Sequence, residues 1–165
     1  MKTVYILTGL KGSGKTYIGN LLSERLSIPF LRVENIFLKT KTNDPLKDQN
    51  YISSGFTNVE KEIRSLLTGI DQLTIESTGI TTQFDTMVSN LKKDFIVKLI
   101  KISAFPELCF KRVKDRDQSD HISVSDDQLL EINKLAAKVS LDYDLIIQNN
   151  TQTDEDIIEQ FGSMR

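Results

Sequence analysis

One cysteine, one histidine and no long apolar run mark this 165-residue chain. With Cys109 alone there can be no internal disulfide, which fits a reducing compartment; placed among apolar helical residues, it reads as a buried packing thiol. His121 has no Cys or His cluster around it to suggest a metal site. No segment approaches membrane-spanning length, and the short apolar stretch between Lys2 and Lys11 is too little for a signal-peptide core. A cytoplasmic protein is expected. Charge of one sign is missing too: a net charge of −2 gives no general attraction to nucleic acid or anionic membranes. Lys92, Lys93, Lys98 and Lys101 are dispersed and lack interleaved aromatics, which speaks against a nucleic-acid platform. Hydrophobic residues at 39% and charged residues at 27% are ordinary for a globular protein, and the length suits a single domain spanning 1–165.

What is present is a phosphate-binding signature. Gly9-Leu10-Lys11-Gly12-Ser13-Gly14-Lys15-Thr16 fits G-x-x-x-x-G-K-[ST] at every fixed position. Val4, Ile6 and Leu7 before it read as a strand, and Ile18, Leu21, Leu22 and Leu26 after it as a helical stripe. Glycine lets such a loop wrap an oligophosphate with its N–H groups inward, and the anion sits at the N-terminus of the helix that begins near Lys15. Gly9, Gly12, Ser13, Gly14, Lys15 and Thr16 are therefore expected to hold ATP. Lys15 is expected to reach the β- and γ-phosphates, and the Thr16 hydroxyl to ligate Mg²⁺.

Apolar runs at Val4–Leu7, Ile28–Val33, Leu73–Ile75, Phe95–Ile102 and Leu145–Ile147 alternate with helical patterns. This order predicts an α/β fold with a central five-stranded parallel sheet flanked by helices. Thr57 with Glu60 reads as a capping box opening a helix that Gly69 stops, and Ser125 with Gln128 as a second box. Pro106 suits a first helical turn, and Thr153 caps the last helix. Lys39–Phe56 and Asp117–Val124 read as loops bordering the carboxyl ends of the strands, where ligands bind in open α/β sheets. Asn133-Lys134-Leu135-Ala136 lacks the aspartate of a guanine-reading motif and is read as helix.

Two acids are candidates for metal or proton handling. Glu76 follows Leu73-Thr74-Ile75 at a strand's carboxyl end, where an acid can hold metal-bound water or accept a proton. Glu34 opens a helix after Ile28–Val33. Arg112 and Arg116, four apart and so on one helix face, can stack on a base or grip phosphate oxygens.

Together, Gly9–Thr16, the Ile28–Glu34 segment, Arg112 and Arg116 beside a lid-like loop, and Tyr143–Asn149 resemble the small P-loop kinases: shikimate and gluconate kinases and adenylate-type nucleoside monophosphate kinases. The resemblance runs nearly end to end. It implies a three-layer P-loop NTPase fold, an acceptor-binding segment at about 34–57 and a lid at about 112–125. It also implies transfer of phosphoryl from ATP to a small metabolite or nucleotide by a monomer or homodimer. Lys15, Glu76, Glu34 and Arg116 are its catalytic candidates, Arg112 and Asn149 join the nucleotide site, and Thr16 and Glu76 join the metal. An ATP-binding switch with little turnover and a nucleic-acid end kinase are the alternatives. Arg32-Val33-Glu34 stands where the shikimate enzymes carry Asp-x-Asp, Ser77-Thr78-Gly79 replaces their glycine triplet, and Gly55–Glu60 holds no counterpart of their acceptor-binding arginine. On that ground shikimate is not expected to be an efficient acceptor, and Arg32 suits one that carries phosphate.

Overall fold

The computed structural model describes residues 1–164. Strands β1 (Thr3–Thr8), β2 (Phe30–Leu31), β3 (Gln72–Ser77), β4 (Ile96–Ser103) and β5 (Leu145–Gln148) form one sheet in the order β2-β3-β1-β4-β5, with every pairing parallel. Around it lie α1 (Lys15–Leu26), α2 (Val33–Phe37), α3 (Gln49–Leu66), α4 (Thr82–Leu91), α5 (Pro106–Asp115), α6 (Asp126–Ala136) and α7 (Asp154–Gly162). The expected five-stranded parallel α/β sheet is thus present.

The alternation along β1 shows why both faces are covered. Val4 and Ile6 point into a core with Val59 and Ile63 of α3 and Phe84, Met87 and Leu91 of α4. Tyr5 and Leu7 point the other way, onto Ile18, Leu21 and Leu22 of α1 and Ile157 and Phe161 of α7. A strand buried on both faces is apolar throughout, as parallel strands are. From β1 the chain moves outward through α1 to β2, returns to β3, then crosses to β4 on the other flank. The loops after β1 and β3 therefore open into one crevice at the strands' carboxyl ends.

The capping boxes at Ser125–Gln128 and Thr153–Asp156 are formed, and Pro106 occupies the first turn of α5. Four local expectations are corrected. Thr57 does not open a helix: it lies inside α3, which begins eight residues earlier because the Asp48 side chain caps it by accepting from the Tyr51 N–H at 3.0 Å. Residues 49–56 of the stretch Lys39–Phe56 are accordingly helix, carrying buried Tyr51, Ile52 and Gly55. Ile28–Val33 contributes only two strand residues, since Val33 already starts α2. Arg116 does not share a helix face with Arg112, because α5 ends at Asp115 and Arg116 is extended at φ −80°, ψ 157°.

Gly55 is fixed by a close approach. A Cβ there would overlap the Phe37 ring, so α2 and α3 touch only because the side chain is absent. Phe37 in turn meets Tyr51 and Phe56 edge to face at 5.3 and 5.4 Å.

Candidate active site

Gly14 ends the phosphate loop in a left-handed conformation, and Lys15 begins α1. The loop is braced from behind. Asn149, buried after β5, donates from Nδ2 to the Ser13 carbonyl at 2.8 Å. Arg112 of α5 donates to the carbonyls of Asn149 at 3.0 Å and Asn150 at 3.4 Å. Gly12 has φ +90°, and a Cβ on it would overlap the Cys109 carbonyl oxygen of α5. Gly12→Ala combines left-handed strain with a backbone clash, so it should cost at least about 2 kcal/mol of stability. Urea denaturation measures this; an unchanged midpoint would show that the loop shifts freely.

Lys15, Thr16 and Glu76 form the candidate chemical centre. The Lys15 Nζ donates to the Gly9 and Leu10 carbonyls at 3.0 and 2.8 Å. The Thr16 hydroxyl donates to Glu76 Oε2 at 2.7 Å, and Glu76 Oε1 is buried without a partner. Glu76 is only 6% exposed, so the carboxylate at the end of β3 is an interior group and not a solvated turn residue. Burial raises its pKa, with the Lys15 charge and the Thr16 bond opposing. Burial likewise lowers Lys15 to about 8, with the Glu76 charge opposing.

A phosphate group placed against the Lys15 Nζ favours the cation and raises its pKa, so binding below about pH 8 finds the proton already in place. Above it, binding must take a proton up. Nucleotide affinity should be flat below that pH and then fall, by as much as about tenfold per pH unit. Calorimetric titration in buffers of different ionisation enthalpy reads the proton uptake directly; none at pH 9 would contradict the lowered pKa.

Arg116 lies in the segment between α5 and α6 and, with Lys15, Thr16 and Glu76, lines one cavity. Its Nε and Nη2 atoms are buried without partners. Burial lowers its pKa, while Glu34, Glu76 and Asp120 favour the cation. A guanidinium with idle buried donors beside a phosphate loop is suited to an oxyanion.

Glu34, on the first turn of α2, is tied into a network. It accepts from Lys11 Nζ at 3.0 Å, and its Oε2 lies 2.7 Å from His121 Nδ1. Burial works to raise its pKa, but the Lys11 charge and bond and the His121 contact outweigh this and hold it low. Arg32 bonds the Asp120 carboxylate at 2.7 Å and lies 3.7 Å from Glu34. The cation expected to suit a phosphate-bearing acceptor is therefore committed to an acid of the 117–124 segment.

Three residues of this network carried no functional reading in the sequence. Lys11 occupies an unrestricted position of the loop motif. His121 pairs with an acid 87 residues away. Asn133, read only as helix, grips the Lys11 backbone twice: its Oδ1 accepts from the N–H at 2.7 Å, and its Nδ2 donates to the carbonyl at 3.0 Å. The one available signal was the solitary histidine; the Asn133 grip depends on α6 packing beside the loop, which no local pattern encodes.

A cavity of about 430 Å³ joins these groups. One end is formed by Gly12, Gly14, Lys15, Thr16, Tyr17 and Arg112, and the other by Val33, Phe37, Leu46, Ile52, Phe56 and Ile80. Glu34, Glu76, Arg116 and His121 also line it. Among the described residues no group of three or more His, Cys, Asp or Glu is placed to cage a metal. A hydroxyl and a carboxylate with an unpartnered oxygen nevertheless fit Mg²⁺, which keeps most of its waters and takes its other ligands from phosphates.

Known proteins resemble this arrangement over nearly its whole length. A family model for shikimate kinase matches residues 11–164. A shikimate kinase of Thermodesulfovibrio yellowstonii is 24% identical over 164 residues, spanning 97% of this chain and 92% of that protein. One of Caldicellulosiruptor saccharolyticus is 28% identical over 136 residues, spanning 82% and 77% respectively. The crystal structure of an unliganded sugar kinase from Janibacter sp. superposes with a TM-score of 0.70 at 14% identity, covering 99% of this chain and 94% of the other.

Proposed function

Since the chain belongs to the shikimate kinase family, and is thus a P-loop kinase that uses ATP and acts on a small metabolite, we propose how its residues divide the reaction. The loop Gly9–Thr16 wraps the phosphates, with Arg112 and Asn149 bracing the nucleotide end. An acceptor hydroxyl enters from the Val33–Phe56 side, within the acceptor-binding segment at 34–57. Its oxygen bonds to the γ-phosphorus as the bond to the β,γ-bridging oxygen breaks, giving a phosphate monoester and ADP.

Such transfer passes through a loose transition state whose charge lies on the equatorial oxygens, so positioning and charge compensation dominate. Lys15 and Arg116 supply that compensation, Arg116 with two donors that have no other partner. Mg²⁺ held by Thr16 and Glu76 would neutralise charge on the β- and γ-phosphates. Of the two acids, Glu76 is the better proton acceptor, because Oε1 is unpartnered and burial raises its pKa. Glu34 accepts from Lys11 and His121 and acts by positioning them at the border of the acceptor space. The segment 112–125 serves as a lid, fastened by Arg32–Asp120 and Glu34–His121.

The observation that carries this reading is the Thr16–Glu76 hydrogen bond beside a buried Lys15. It brings together the loop's metal-binding hydroxyl, an underused carboxylate and the phosphoryl-facing cation. The experiment is ADP release with ATP and Mg²⁺ across a panel of small alcohols, polyols and nucleoside monophosphates. Acceptor-dependent ADP formation supports the assignment; ATP binding without it from any acceptor opposes it.

A further inference from the structure

The acceptor end of the cavity is built for a hydrocarbon body. Val33, Phe37, Ile52, Phe56 and Ile80 line it, and Ile122 from the segment between α5 and α6 packs against the same cluster. The polar groups around it are mostly spoken for. Glu34 holds Lys11 and His121. The Ser77 hydroxyl accepts from the Gly79 N–H at 3.1 Å, and the Thr81 hydroxyl caps α4 by accepting from the Phe84 N–H at 3.2 Å. Among the described residues, the Tyr51 and Thr78 hydroxyls have no partner on that side, and Ser77 and Thr81 keep only their O–H donors.

The cations point the same way. Those lining the cavity are Lys11, Lys15, Arg112 and Arg116, apart from His121. Lys11 is paired with Glu34, Lys15 and Arg112 belong to the phosphate loop and its brace, and Arg116 is assigned to the transferred phosphoryl. None is left to bind a carboxylate on the acceptor.

From this lining we propose that the acceptor is a neutral alcohol with a mainly hydrocarbon body, and neither a polyhydroxylated acid nor a sugar acid. The proposal rests on the kinase reading above. A polyol carboxylate entering this end strands hydroxyls and a charge among apolar side chains. A neutral alcohol needs only its reacting hydroxyl, presented toward Glu76, and at most one partner from Tyr51 or Thr78. Apolar pockets discriminate moderately, so the preference should be on the order of 100-fold.

Binding and turnover are read separately. In the first measurement, ¹⁵N amide shifts of the ATP-free protein are followed during titration with cyclohexylmethanol, 3-methyl-3-buten-1-ol, shikimate or gluconate. In the second, ADP release is followed with ATP, Mg²⁺ and the same four compounds. At least one neutral alcohol should saturably shift amides around Val33, Ile52 and Ile80, and support kcat/KM about 100-fold above shikimate and gluconate. Ile80→Asn, at a half-buried site outside the helices and strands, should raise the KM of that alcohol about tenfold and leave ATP affinity unchanged. Ile122→Ser gives a second reading should the first variant fold poorly. Absence of saturable binding by both alcohols overturns the proposal, as does turnover of shikimate or gluconate at an equal or higher rate. Saturable binding of an alcohol at these residues without ADP formation from any compound supports the pocket's chemistry and removes the kinase reading instead.

Discussion

Lys15→Ala is expected to lower kcat/KM for ATP by at least about 10²–10³-fold while leaving the protein folded. The two halves of this expectation have different origins. Lys15 is the cation that starts α1, with its Nζ held by the Gly9 and Leu10 carbonyls of the loop proposed to wrap the phosphates. In a site this buried, charge compensation is worth far more than in water. The folded protein gains little from that cation without phosphate, since burial pulls its pKa down to about 8. Removing a charge the fold disfavours should therefore leave the melting temperature within a few degrees. It should also push the Glu76 carboxyl still higher, because Lys15 is the foremost influence opposing its upward shift. Initial rates at saturating acceptor, paired with thermal denaturation, check both halves. Wild-type turnover by a folded variant would refute the role of Lys15, and a variant that unfolds would refute the claim that the cation is there for function.

The nucleotide half of the site was legible because it is local. Strand, glycine loop and helix start are contiguous from Val4 to Leu26, so the placement of each glycine, Lys15 and Thr16 could be read from one stretch of chain, and the alternation of apolar runs predicted the parallel sheet. The other end of the cavity resisted for two physical reasons. Its wall is α3, whose first turns are disguised by polar residues; yet Tyr51, Ile52, Gly55, Val59 and Ile63 recur at helical spacing, and Asp48 stands at the cap. Read together they would have placed the helix and ruled out Thr57 as its start. Its polar border is a charge network joining positions 11, 32, 34, 120 and 121. Pairings of that kind depend on where loops meet across the crevice, and many partners satisfy the same charges. The departure at Arg32 from the Asp-x-Asp pattern was visible, but its consequence was not: the guanidinium reaches Asp120 and ties the segment between α5 and α6 to the end of β2.

Glu76→Gln should reduce kcat by about 10²–10⁴-fold with a much smaller change in the acceptor's KM. The substitution keeps shape and burial, and the amide oxygen can still accept from the Thr16 hydroxyl that now reaches Oε2 at 2.7 Å, so the ground-state geometry survives. What disappears is the only buried carboxylate at the end of β3, and with it a group able to take the acceptor's proton and to help hold Mg²⁺. A loss confined to kcat is the mark of an interaction made in the transition state. The neighbouring lysine supplies an independent reading. Glu76 is the leading influence holding the Lys15 pKa up against burial, so in the glutamine variant that pKa should drop below about 8. The pH above which nucleotide affinity declines should move down with it. A variant with kcat within threefold of wild type, or one whose affinity profile stays in place while kcat falls, would break the link drawn between Glu76, Lys15 and the transferred phosphoryl.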